Sequence, residues 1–132
     1  MFRHAFNKRM ALSLFCLSFA LGPAFANDVE PVQVGLEAEL DACPSLAEIS
    51  SNKPITLYAK PSATAKSIIL LKPRQRVYLC DSSKPAPWVG IVVPLDDKMD
   101  CGVSSNIEKP TPYQGPCKSG WIKQGEFEVI AG

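Results

Sequence analysis

The chain is 132 residues long, with 14 Lys and Arg against 13 Asp and Glu, 12 prolines, five cysteines and one histidine. That length holds one small domain, and 46% hydrophobic residues supply a core, which excludes a disordered tail. The near-neutral charge excludes a protein that grips nucleic acid through a basic surface.

Residues 1–26 differ from everything after them. Arg3, Lys8 and Arg9 precede an apolar run from Ala11 to Ala20, and Ala24-Phe25-Ala26 fits the small-x-small rule for a cleavage site. This is the pattern of a secretory signal peptide cut before Asn27. Gly22-Pro23 interrupts the run too early for a retained span, so no membrane anchor is expected after cleavage. Cys16 follows Leu14-Phe15, where a lipoprotein signal would need a small residue, and it leaves with the signal. Cleavage removes three bases and no acid, so 14 basic residues become 11 against 13 acidic ones, a net of −2 over the remaining 106 residues. The only histidine, His4, goes too. The expected location is the periplasm or the medium.

Residues 27–52 hold Asp28, Glu30, Glu37, Glu39, Asp41 and Glu48 with no Lys or Arg, and they lead a segment, 53–84, with seven bases against Asp81. Within the acidic lead, Val32, Val34, Leu36, Ala38 and Leu40 alternate with polar residues or glycine, the period of a strand with one buried face, while the glutamate-rich composition leaves a helix open as the alternative. Pro44 breaks it. The lead is expected to pack along or near the basic surface of the same molecule, with a basic face left open for an anionic partner as the alternative.

From Ile55 onward, short apolar runs are separated by turn signals: residues 55–58, 67–71, 76–80, 88–93, 120–123 and 127–130. Runs of four to six residues rich in Val, Ile, Tyr and Trp, punctuated by Pro and Gly, predict the strands of a small barrel or sandwich. No stretch carries three turns of helical periodicity, and there is no internal repeat.

Four cysteines remain after the signal, Cys43, Cys80, Cys101 and Cys117, an even count in a chain bound for an oxidising compartment. Two disulfides follow from that context. Of three possible pairings, Cys101–Cys117 with Cys43–Cys80 is favoured, because the first closes a loop rich in Pro and Gly and leaves the other two together. Spacing alone leaves the other pairings open. Closing a loop of about 15 residues stabilises by about 3 kcal/mol in the chain-entropy model.

The order of motifs resembles the bacterial SH3-like domain, SH3b. The segments "LYAKPSATAKSIILLKPRQRVYL" (57–79), "WVGIVV" (88–93) and "SGWIKQGEFEVI" (119–130) carry the resemblance, which covers residues 54–131. Pro61-Ser62 ends the first strand, Ala65 and Ile68-Ile69 follow, and Gly120-Trp121 opens the penultimate strand. Two features depart from the family pattern. The turn before the third strand, usually bearing Gly, reads Lys72-Pro73-Arg74-Gln75, so proline must set its geometry. A tight hairpin is replaced by residues 94–118. The resemblance implies an all-β fold, a small SH3-like β-barrel over 54–132 with a long inserted loop at 94–118, and 27–53 as an N-terminal extension packed on it.

The chemistry-bearing residues argue against catalysis. Cysteine gaps of 36, 20 and 15 residues, with no histidine left after processing, do not make a metal site, and no cofactor is expected. No histidine activates a cysteine or serine nucleophile; Ser104, Ser105 and Ser119 lack a lysine that singles one out. Asp96, Asp97 and Asp100 lack the ligand spacing of a calcium loop and read as a solvated turn.

Aromatic residues are the better candidates for contact with a ligand: Tyr58, Trp88, Tyr113 and Trp121, with Tyr78 a further amphipathic ring. Trp88 and Trp121 fall on strand positions of the SH3-like pattern, where a place in the core is the first expectation for each. Tyr113, between Pro112 and Gln114, is expected to be the most exposed tyrosine. The basic residues Lys60, Lys72, Arg74 and Arg76 serve solubility or wall phosphates. The resemblance implies an exported noncatalytic binding module that recognises cell-wall peptide, peptidoglycan, or another peptide segment. An adaptor or inhibitor that docks its stapled loop on an exported protein, and a small cell-wall hydrolase, are the alternatives.

Overall fold

The computed structural model describes residues 28–83 and 87–132; the expected signal segment lies outside the described residues. Among the described residues the fold is all-β, with nine strands and no helix. They are β1 (Gln33–Val34), β2 (Ser45–Ile49), β3 (Ile55–Tyr58), β4 (Ser67–Leu71), β5 (Arg76–Ser82), β6 (Trp88–Val93), β7 (Thr111–Pro112), β8 (Lys118–Lys123) and β9 (Phe127–Ala131). Six of these coincide with the apolar runs read from the sequence, because a period of two with β-branched and aromatic residues is a local property.

Seven strands form one antiparallel sheet in the order β4-β3-β8-β6-β5-β2-β9. The expected closed barrel is not found: β4 and β9 stand at opposite edges of the sheet, each paired on one side only. Closure needs hydrogen bonds between the first and last strands of the sheet, and among the described residues β4 and β9 do not pair. Register shifts in the β2–β9, β3–β4 and β5–β6 pairs curve the sheet without closing it.

The sheet buries both faces. On one, Ala47, Ile49, Ile55, Leu57, Leu71, Val77, Val89, Ile91, Val93 and Ile122 form a cluster, with Phe127 packed at its side. On the other, Trp88, Val92, Cys80 and Trp121 meet Val32, Val34, Ala42 and Cys43 from the N-terminal segment and Cys101, Val103 and Cys117 from the 94–117 loop. Every residue of β6 is buried. Its unbroken apolar sequence, Trp88-Val-Gly-Ile-Val-Val93, is what a strand covered on both sides requires.

The N-terminal segment departs from the predicted single strand over Val32 to Leu40. Only Gln33 and Val34 pair, with Pro112 and Thr111 of β7. Gly35 then turns the chain at φ 77°, with the Ile107 side chain lying where a Cβ would stand. Beyond that turn Leu36 and Leu40 point to solvent, at 47% and 45% exposed. Glu39 takes φ 70° in the turn over residues 37–40. The alternating pattern fails there because a left-handed residue resets the side-chain register.

β2 was not singled out by its sequence, Ser-Leu-Ala-Glu-Ile, yet it sits between β5 and β9 with Ala47 and Ile49 fully buried. Cys43 just before it bonds to Cys80 of β5, and Cys101 bonds to Cys117 across the base of the long loop. Cys80 is the extra residue of the bulge between Leu79 and Asp81.

Candidate binding surfaces

Tyr58, Trp88, Tyr113 and Trp121, scattered over more than 60 positions of sequence, meet in or against one hydrophobic cluster on the second face of the sheet. Tyr58 and Trp88 stack edge to face, ring centroids 5.5 Å apart at 87°, and the Lys123 ammonium lies 5.8 Å from the Trp88 ring centre. Trp121 is 1% exposed, and its indole N–H donates to the Glu30 carbonyl at 2.8 Å. Glu30 in turn donates its N–H to the Ala59 carbonyl, so the N-terminal segment lies as a cover on the Trp face.

A second layer clasps the first. The N–H groups of Ala42 and Cys43 donate to the carbonyls of Ser105 and Val103, Tyr113 donates its N–H to the Val32 carbonyl, and Asn106 donates its side-chain N–H to the Leu40 carbonyl. Asp81 holds the segment from below, its carboxylate accepting from the Gln33 N–H at 2.9 Å and from the Ser82 N–H at 2.7 Å. Gly90 is needed where the layers meet, since a Cβ there would stand 2.8 Å from the Asp81 Cβ and 3.0 Å from Val32 Cγ1.

Tyr113, read from sequence as the most exposed tyrosine, is half-buried, as are Tyr58 and Tyr78. Its hydroxyl donates to the Cys101 carbonyl at 2.8 Å and accepts from the Cys117 N–H at 3.2 Å, bridging the two half-cystines of the loop. Burial pushes this hydroxyl above its ordinary pKa; the Cys117 N–H works the other way, and the Asp100 carboxylate adds to the rise. Gly115 lies against the Tyr113 ring so closely that no Cβ would fit. The loop therefore has two internal ties, the disulfide and the phenol bridge, and the β1–β7 pair fastens it to the N-terminal segment.

Two of the surface depressions among the described residues are roomy enough to consider as binding sites. One, about 430 Å³, is lined by Val34, Ile107, Pro112, Tyr113, Gln114 and Pro116 together with the Cys101 end of the loop. The other, about 930 Å³, lies between the 72–76 segment with Ile69 and Leu70 on one side and residues 94–97 on the other.

The turn in the second depression is unusual. Gln75 donates its N–H to the Lys72 carbonyl at 3.1 Å, Pro73 takes the first central position, and Arg74 takes the second at φ 63°. Glycine fits such a position freely; an L side chain costs about 1–2 kcal/mol there. Proline alone did not set this geometry, contrary to the sequence expectation, because the turn still requires one left-handed residue. The strain is borne by the Lys72 N–H donating to Gln75 Oε1 at 2.9 Å and the Arg74 N–H donating to the Ile49 carbonyl at 2.8 Å.

Sequence reasoning missed Asp81, Ile107 and Val103 as parts of this arrangement. Nothing local marks them, since each acts on a segment many residues away. The all-apolar β6 was the one sequence sign that a second layer must exist.

Searched against protein-family models, curated proteins and solved structures, the chain matches none of them.

Proposed function

We propose that this chain is an exported, noncatalytic binding module of the SH3-like kind that recognises a peptide segment, with the peptide of the cell wall as its first candidate. Two disulfides are consistent with an oxidising compartment outside the cytoplasm. The observation that carries the reading is the depression beside Tyr113, on a loop tied internally by a disulfide and a phenol bridge and fastened to the N-terminal segment by the β1–β7 pair. A volume of about 430 Å³ lies within the range of ordinary ligand sites. A loop held by a disulfide and three prolines, Pro110, Pro112 and Pro116, has little conformational entropy left to lose on binding. The aromatic face named from sequence contributes to this reading by support, Trp121 and Trp88 anchoring the N-terminal segment on which the loop rests.

The test is cosedimentation of the oxidised protein with purified peptidoglycan, beside a Gln114→Trp variant that fills the mouth of the depression from an exposed position. Enrichment of the wild type and its loss in the variant are expected. Equal recovery of both in the pellet, or of neither, overturns the wall reading. A pull-down from periplasmic extract run alongside detects the adaptor or inhibitor alternative.

A further inference from the structure

The wider depression has a charge pattern that the loop reading does not use. One wall carries Lys72, Arg74 and Arg76, and no side-chain hydrogen bond or ion pair holds these cations among the described residues. Of the acidic lead, Glu48 stands across from Arg76 in the β2–β5 pair, with no ion pair between them, and Ile49 exchanges backbone hydrogen bonds with Arg74 and Gln75. The residues ahead of β2 pair instead with residues 59, 81, 103, 105, 106, 112, 113 and 121, on the second face and the long loop. At the lips stand Leu70, 65% exposed, and Leu95, 51% exposed. Along the side runs β4, an edge strand whose outer row of backbone N–H and C=O groups has no partner strand among the described residues.

We propose that this groove binds an acidic peptide in extended conformation, laid along the free edge of β4. Its carboxylates meet Lys72, Arg74 and Arg76, and an apolar side chain of the same peptide covers Leu70 and Leu95. The backbone of β4 supplies sequence-independent hydrogen bonds, while the two leucines and three cations select the partner. Arg74 marks the groove as the place where strain is tolerated: a guanidinium stands where the turn would take glycine without penalty. The opposite wall, Asp96 and Asp97, disfavours a uniformly anionic polymer such as a polyphosphate, which would bring charge to both sides at once. A peptide can place its carboxylates on one side only. This site is separate from the depression beside Tyr113 and stands whether or not the chain binds cell wall.

The experiment is fluorescence anisotropy with the oxidised full chain and a short fluorescein-labelled peptide alternating glutamate and leucine. A lysine–leucine peptide of the same length is the control, and linear polyphosphate serves as competitor. Saturable binding of the acidic peptide alone is expected, weakening about tenfold or more between roughly 0.1 M and 1 M salt as screening shortens from ~10 Å to 3 Å. Arg74→Gly should weaken it about threefold to tenfold while leaving the fold as stable as before or more so, and Arg74→Lys should retain binding within about twofold. Leu70→Ser should weaken binding without altering its salt dependence. The proposal is overturned if the lysine peptide binds equally, if Arg74→Gly binds as the wild type does, or if polyphosphate binds more tightly than the peptide. Concentration-dependent self-association abolished by Glu128→Lys overturns it too, since the occupant would then be the acidic edge β9 of a second copy.

Discussion

Replacing Tyr113 by Phe keeps the ring that fills the loop and removes one oxygen. That oxygen now accepts from the Cys117 N–H and donates to the Cys101 carbonyl, at 3.2 and 2.8 Å. Both backbone groups belong to buried half-cystines, at 8% and 3% exposed, so water replaces the lost partner poorly. A net hydrogen bond is worth about 0.5–1.5 kcal/mol, and a buried group left unpaired costs about 1–3 kcal/mol. We therefore expect a loss of about 2 kcal/mol at pH 7. For a domain of this size that lowers Tm by roughly 8–16 °C. The same substitution carries a pH signature. Because the folded Tyr113 pKa is raised, the folded state holds the phenol proton more tightly than the unfolded chain. This contribution is fully present below the unfolded value of about 10 and is lost as pH rises through the folded one. Wild-type stability should fall at alkaline pH for this reason, and the gap between wild type and Tyr113→Phe should narrow there. Thermal unfolding followed by circular dichroism, with disulfides intact and pH stepped from neutral to alkaline, measures both effects. A Tm within about 2 °C of wild type at neutral pH, or a gap that widens at high pH, would refute the bridging role assigned to this hydroxyl.

Three further outcomes follow from particular contacts. Arg74→Gly should stabilise the fold by about 1 kcal/mol in denaturant titration, since glycine takes φ 63° without the steric cost borne by arginine; a loss of stability would place Arg74 in a contact the turn geometry does not explain. Gly120→Ala should cost about 2 kcal/mol or more, because its Cβ would stand 2.6 Å from the Tyr58 carbonyl and 2.8 Å from Leu57 Cγ, forcing β3 and β8 apart; thermal unfolding unchanged from wild type would show that the pair slides freely. The double change Cys43→Ser with Cys80→Ser opens a link between residues 37 apart, worth about 4 kcal/mol in the chain-entropy model, and should expose the N-terminal segment to limited proteolysis; cleavage at the wild-type rate would count against its role as a tether.

Local pattern was enough for six strands, β3, β4, β5, β6, β8 and β9, because alternation and β-branched composition act within four to seven residues. The four cysteines after the expected signal segment likewise announce two crosslinks wherever the chain is oxidised. What lay beyond local pattern was decided by partners far away in sequence. β2 is a strand because β5 and β9 flank it, and its own five residues are unremarkable as a strand signal. Leu36 and Leu40 are exposed because one left-handed glycine ends the register that buries Val32 and Val34. Trp121, a plausible ligand contact by type, is silenced by the Glu30 carbonyl 91 residues away, and Tyr113 is drawn inward by two cystine backbones. Arg74 could be read as a base on a turn, but only the backbone dihedral shows that it occupies a glycine's place. The sequence by itself determined which segments extend and how many crosslinks tie them; tertiary structure decided which face is covered and which groove stays open, because burial and pairing are properties of whole surfaces meeting.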